Sequence, residues 1–202
     1  MNLPNKLTVS RFALTVVFLC VIFSRVPYHE TIALVVFCAA SLTDYFDGKI
    51  ARRDKLITNF GILMDPLADK ILVCSAFISF VNRGHLPEHA WMPAWMAVVV
   101  VARELAITGL RMLAASKNVV LAAERYGKHK TISQIVAIIS VLVLASYSQW
   151  GWLGQLFGLR LIVDVPWILW FTELSKWVAV GLTIMSGSIY LWRNRQIYLD
   201  DM

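Results

Sequence analysis

The chain has 202 residues, of which 58% are hydrophobic and only 16% charged, where a soluble domain carries about 45–50% apolar and about 25% charged residues. That balance excludes an ordinary soluble globular protein and places the chain in the membrane class. The net charge is +6, but in a membrane protein the positions of the Lys and Arg matter more than the total, because they concentrate in cytoplasmic loops, and no nucleic-acid partner is expected.

A helix needs about 20 mostly apolar residues to cross a bilayer, and six stretches qualify, at about 7–24, 31–46, 61–81, 91–113, 131–150 and 166–192. Met1 to Arg11 lacks a charged start followed by a small-residue cleavage site, so the first stretch is expected to be an uncleaved span. The fold predicted is all-α, an integral membrane bundle of six transmembrane helices forming one domain over 1–202. An even number of spans puts both termini on one side. Lys6, Lys49, Arg52, Arg53, Lys55, Lys117, Arg125, Lys128, Lys130, Arg193 and Arg195 fall in one set of connections, against little beyond Arg25, Arg83 and Arg160 in the other. The excess of cations places both termini in the cytoplasm. Trp91, Trp95, Trp150, Trp152, Trp167 and Trp170 fall near the opposite face, as an aromatic belt. Cys20, Cys38 and Cys74 lie in apolar runs without metal-ligand spacing and are expected to be small buried hydrophobes.

Between the second and third stretches the sequence reads Asp44-x-x-Asp47-Gly48-x-x-Ala51-Arg52, then eight residues, then Gly61-x-x-x-Asp65-x-x-x-Asp69. On helices, spacings of three and four put each pair of aspartates on one face, and a short hairpin lets the pairs converge at the cytoplasmic membrane surface. Ionisable groups within a span cost about 2.5–3.5 kcal/mol each on insertion scales, and four carboxylates repel one another. Such a cluster persists around positive charge, and an all-oxygen anionic set suits hard cations such as Mg²⁺ or Mn²⁺. Two ions roughly 3.5–4 Å apart would stabilise a pyrophosphate leaving group and orient an attacking hydroxyl. Gly48 and Ala51 leave room for a ligand or a backbone, Gly61 permits close helix approach, and Arg52 offers a charge-assisted bond to phosphate. Pro66, tolerated in a first helical turn, predicts a helix start or a local break beside Asp65.

These 26 residues resemble the signature of the CDP-alcohol phosphotransferases, also called CDP-alcohol phosphatidyltransferases, with every signature position filled. The resemblance implies a six-helix membrane fold that forms a homodimer, with a site for two divalent cations open to the cytoplasm and to lipid. It implies Asp44, Asp47 and Asp65 as metal ligands, and Asp69 as both a ligand and the general base. Asp44, Asp47, Gly48, Ala51, Arg52, Thr58 and Gly61 become the set that binds CDP-diacylglycerol. The implied reaction is attack of an acceptor hydroxyl on the phosphorus next to diacylglycerol, releasing CMP.

The acceptor is read from the rest of the chain. Arg103-Glu104-x-x-x-Thr108-x-x-Arg111 lies in the fourth stretch, and Lys128-His129-Lys130-Thr131 opens the fifth. Arg103 and Arg111, eight apart, share a helix face. With Lys128 and Lys130 they would form a site for an acceptor carrying its own phosphate. Arg103 also reads as a structural partner of Glu104, and the two lysines as positive-inside anchors. Arg103-Glu104, Thr108-Gly109-Leu110-Arg111 and Gly127-Lys128-His129-Lys130-Thr131, with Asn2 to Thr8 and Arg11, resemble the phosphatidylglycerophosphate synthase branch of the family. That implies sn-glycerol 3-phosphate as acceptor and phosphatidylglycerol phosphate as product, in a bacterial inner membrane. Phosphatidylglycerol or inositol phosphate remain alternative acceptors. A cation transporter is the reading from another class. Against it, the four aspartates sit at one membrane face, no acidic partners are expected at mid-depth or in the opposite half, and no inverted repeat is visible.

Overall fold

The computed structural model describes residues 3–54, 59–82, 91–117, 119, 121, 126–162 and 165–199, with side chains over 9–43, 67, 70–81, 91–117, 119, 121, 129–160 and 165–199. Six long helices dominate: α1 (Leu3–Phe23), α2 (His29–Asp54), α3 (Asn59–Asn82), α4 (Ala94–Ser116), α5 (Tyr126–Ser146) and, after a short α6 (Trp152–Phe157), α7 (Trp167–Arg193). A last turn, α8 (Gln196–Leu199), follows. The long helices have 21 to 27 residues, or about 31–40 Å at 1.5 Å per residue, enough for a hydrocarbon core of about 30 Å. Among the described residues, 129–149 and α7 are both long and apolar enough to cross a membrane, and Val9–Phe23, His29–Thr43 and Lys70–Val81 are shorter apolar helices.

The helix ends depart from the apolar stretches in an instructive way. The apolar run of α2 ends near residue 46, yet the helix continues to Asp54, so the whole Asp44 to Arg52 segment is helical. Correspondingly, α3 begins at Asn59 and Pro66 is its eighth residue, past the first turn where proline was expected. There the missing N–H leaves the Ile62 carbonyl without its helical donor. Prolines do start two other helices: Pro93 and Pro166 are extended residues immediately before α4 and α7. Between α5 and α7 the chain forms a 3-10 turn (Tyr147–Gln149), α6, and an antiparallel hairpin of β1 (Arg160–Ile162) and β2 (Val165–Pro166). The apolar pattern gave no sign of this unit.

Packing centres on α5 against α7 and on α1 against α2 and α3. Phe18, Phe37, Ala40, Phe77, Phe80, Val100, Ile138, Leu142 and Val180 are buried in one continuous core. Alanines on α2, α3, α5 and α7 let the helices close on these larger side chains. The outward faces are apolar too: Val35, Val98, Leu105 and Leu174 are all more than 60% exposed. By contrast Arg11, Glu104, Lys130, Gln134, Lys176 and Thr183 are buried. Apolar groups outside and polar groups inside are what a hydrocarbon solvent selects. The α5–α7 seam is stitched by Gln134 Nε2 donating to Thr183 Oγ1 at 3.0 Å, a 2.8 Å bond between the Ser140 and Ser175 hydroxyls, and Thr172 Oγ1 donating to the Ser140 carbonyl at 3.1 Å. Interhelical bonds of this kind are worth about 0.6 kcal/mol each on average in membranes.

The aromatic belt and the cysteines depart partly from expectation. Trp152 and Trp170 are exposed, and Trp95 packs on Trp177 at 5.5 Å. Trp91 is buried against Phe80 instead, because the segment before α4 folds inward onto α3. Cys20 is exposed on α1, while Cys38 and Cys74 are partly buried; a free thiol is apolar enough to face lipid. Phe37→Ala should lower the stability of detergent-solubilised protein by about 3–5 kcal/mol, since it opens a cavity beside Phe18. Val35→Ala, two residues away on the outward face, should change it by less than about 0.5 kcal/mol. Thermal unfolding of both variants checks the pair.

Candidate functional site

α4 carries the polar residues that organise the interior. Its turn from Arg103 to Thr108 sits amid apolar residues, so these side chains must find partners inside the bundle. Glu104 and Lys130 are buried and paired, the lysine reaching across from the first turns of α5. Arg103 Nη1 donates to the same Glu104 oxygen at 3.2 Å, and its Nη2 donates to Ser186 Oγ on α7 at 3.4 Å. One carboxylate therefore satisfies two cations from two helices. Lys70 of α3 donates to Thr108 Oγ1, and that hydroxyl donates to the Glu104 carbonyl at 2.7 Å.

Arg103 also explains a glycine. A Cβ at Gly187 would stand 2.8 Å from Arg103 Cγ, so α7 has no side chain where the arginine stem crosses it. Gly181, on an exposed part of the same helix, has nothing within 4 Å of its Cβ position.

Beside Glu104 lies a cavity of about 120 Å³, lined by Arg11, Ser41, Lys70, Leu72, Val73, Glu104, Lys130, Thr131, Gln134 and Ile135. It is contributed by α1 to α5. Among the described residues, three cations and one carboxylate face it, and cations within low-dielectric walls attract an anion strongly. The cavity adjoins the acidic segments in the chain: Ser41 precedes Asp44 by one helical turn, and Lys70 follows Asp69. It therefore presents donors for a small anion within reach of those segments.

The residues singled out from the sequence are distributed as follows. Asp44, Asp47, Gly48, Ala51 and Arg52 lie on the last turns of α2, and Gly61, Asp65 and Asp69 on the first half of α3. Their side chains, like that of Lys128, lie outside the described residues, as does Thr58 altogether. The helix register keeps Asp44 with Asp47, and Asp65 with Asp69, on common faces. Among the described residues no group of three or more His, Cys, Asp or Glu could hold a metal ion. Of the four cations expected near the acceptor, Arg103 and Lys130 meet at Glu104. Arg111 is turned to α7, where its Nε donates to Tyr190 Oη at 3.3 Å and its guanidinium lies 5.6 Å from that ring centre. It does not line the cavity. His129 is exposed.

Arg11 and Lys70 line the cavity and had no role assigned from the sequence alone. Their signal was present: each is a cation inside an apolar run, where it is costly unless it has a task. The expectation of no acidic partner in the far half is corrected by Glu173. It accepts from Lys176 Nζ at 2.7 Å, and that buried ammonium also donates to the Trp91 carbonyl at 3.0 Å. This pair ties the segment before α4 to α7, which is a structural task.

A model of the CDP-alcohol phosphatidyltransferase family matches residues 1–185. A CDP-diacylglycerol–glycerol-3-phosphate 3-phosphatidyltransferase of Bacillus subtilis (strain 168) is 36% identical over 205 residues, covering 96% of this chain and 95% of its own length. Proteins with the same name from Shigella flexneri serotype 5b (36% over 198 residues, 96% of this chain and 92% of theirs) and Rickettsia bellii (32% over 189 residues, 94% and 93%) are similar along the same span.

Gly187→Ala should lower the stability of the solubilised protein by about 1–3 kcal/mol through overpacking against Arg103. Gly181→Ala should leave it unchanged or raise it by up to about 1 kcal/mol, the helix-propensity gain. Melting curves of the two variants separate the close contact from a general intolerance of α7.

Proposed function

Because the chain belongs to the CDP-alcohol phosphatidyltransferase family, we propose that it transfers the phosphatidyl group of CDP-diacylglycerol to sn-glycerol 3-phosphate, giving phosphatidylglycerol phosphate and CMP. The observation that carries the choice of acceptor is the cavity faced by Arg11, Lys70 and Lys130 beside the acidic ends of α2 and α3. A neutral acceptor would have no use for three cations at one cavity, two of them buried; an acceptor bearing a phosphate is held by them. The names of the relatives support the same substrates.

In this reading the phosphate of the acceptor rests in the cavity and its free hydroxyl faces the acidic segment. Asp44, Asp47, Asp65 and Asp69 hold two divalent cations, Mg²⁺ or Mn²⁺, which when bound neutralise the pyrophosphate and lower the cost of releasing CMP. Gly48, Ala51, Arg52, Thr58 and Gly61 receive the CDP part of the donor. Asp69 takes the proton of the acceptor hydroxyl as its oxygen forms a bond to the phosphorus carrying diacylglycerol. The bond from that phosphorus to the bridging oxygen breaks, and CMP leaves with the electron pair. Asp69 needs position more than basicity, since the proton becomes acidic only as the new bond forms.

The topology that fits this chemistry is six spans with both termini and the site at the cytoplasmic face of a bacterial inner membrane, as a homodimer. The six helices of sufficient length and the cations clustered at one set of helix ends support it.

Purified protein, supplied with CDP-diacylglycerol, should release CMP when sn-glycerol 3-phosphate is added with Mg²⁺ or Mn²⁺. Chelation should abolish release, and Asp65→Asn or Asp69→Asn should lower kcat by about 100-fold or more. A preference for phosphatidylglycerol, inositol phosphate or glycerol in the same assay would overturn the choice of acceptor. Full activity in either aspartate variant would overturn the chemistry.

A further inference from the structure

We propose that Glu104 and Thr108, one turn apart on α4, are positioning residues that set the spacing of two ammonium groups, those of Lys130 and Lys70, for the phosphate of the acceptor. The inference rests on the reading of the cavity as the acceptor site and assigns tasks to two residues that the reaction itself does not touch.

A lysine is a point charge on a four-carbon stem with about 2 kcal/mol of rotamer entropy. Two such groups bind a phosphate well only if their positions are fixed before it arrives. Here each is fixed by α4. The Lys130 ammonium is held by the buried Glu104 carboxylate, to whose same oxygen Arg103 Nη1 donates at 3.2 Å. The Lys70 ammonium is held by Thr108 Oγ1. That hydroxyl donates its own proton to the Glu104 carbonyl at 2.7 Å, which turns its lone pairs toward Lys70. A single helical turn therefore anchors one lysine from α3 and one from α5, and the rigidity of the helix is carried over to their separation.

The charge of Glu104 gives this reading a sign that can be checked. Among the described residues, Arg11, Lys70, Arg103 and Lys130 are the cations around it. Were Glu104 only a counter-charge, its neutralisation would make the cavity more positive and tighten binding of an anion. As a holder of Lys130, its neutralisation releases that lysine and weakens binding. Thr108 carries no charge, so its replacement tests the same idea without changing the electrostatics.

The test is steady-state kinetics of full-length protein in detergent with each substrate varied in turn, for Thr108→Val, Thr108→Ser, Glu104→Gln and Lys130→Gln. Thr108→Val and Glu104→Gln should each raise KM for glycerol 3-phosphate by about tenfold, the loss of a hydrogen bond to a charged group. KM for CDP-diacylglycerol should stay within about twofold. Thr108→Ser, which keeps the hydroxyl, should restore the wild-type value. A lowered KM in Glu104→Gln, or an unchanged KM in Thr108→Val, overturns the positioning role when Lys130→Gln still raises KM. An unchanged KM in Lys130→Gln overturns the underlying reading of the cavity itself. If Glu104→Gln does not fold, Thr108→Val with its serine control decides the matter, because it disturbs neither charge nor volume appreciably.

Discussion

The buried carboxylate of Glu104 is the point on which the interior turns. It holds Lys130 of α5 and Arg103 of its own helix, and Arg103 in turn reaches Ser186 on α7. Three helices are thereby referred to one group. An uncompensated charge in a hydrocarbon-embedded bundle is costly, and removing one partner of a buried pair typically costs about 3–5 kcal/mol. A sequence that places three ionisable groups around one spot must therefore satisfy them mutually. The glycine at 187 and the hydroxyls at Thr108 and Ser186 are the accommodations that make this possible.

In the proposed reading, that cluster also sets where the acceptor is held. The cations that line the cavity come from α1, α3 and α5, and the acidic residues stand on the adjoining turns of α2 and α3. Cations at a cavity and an acidic segment adjoining it in the chain would suit the proposed union of a phosphorylated alcohol with a pyrophosphate donor. The first group needs cations at its phosphate, and the second needs the metal ions that carboxylates attract. Among the described residues, the opposite half of the bundle has the Glu173–Lys176 pair, committed to the Trp91 carbonyl, and Glu30, which pairs with His29 and accepts from Gln149. Its polar groups are spent on holding helices together.

Much of this was legible in the chain. Runs of apolar residues located all six long helices, two of which are both long and apolar enough to cross a membrane among the described residues. The acidic signature was legible because its spacing is helical, and α2 proves helical through all of its first half. What was not legible depends on contacts distant in sequence. Lys70 and Arg11 acquire meaning from a cavity built by five helices. Arg111 shares the expected face of α4 with Arg103, yet two turns along the partner across the gap is Tyr190 rather than the cavity. The turn, α6 and hairpin between α5 and α7 have no periodic pattern long enough to register. Helix ends were misjudged where polar residues continue a helix beyond the apolar run, as α2 does to Asp54.

The central claim is that the cation-lined cavity recognises the phosphate of the acceptor. Calorimetric titration of the purified, detergent-solubilised chain with sn-glycerol 3-phosphate and with glycerol tests it without any turnover. Saturable binding of glycerol 3-phosphate, competed by inorganic phosphate and matched by no binding of glycerol, is the result predicted. Comparable binding of glycerol, or binding of glycerol 3-phosphate that inorganic phosphate leaves untouched, would contradict it.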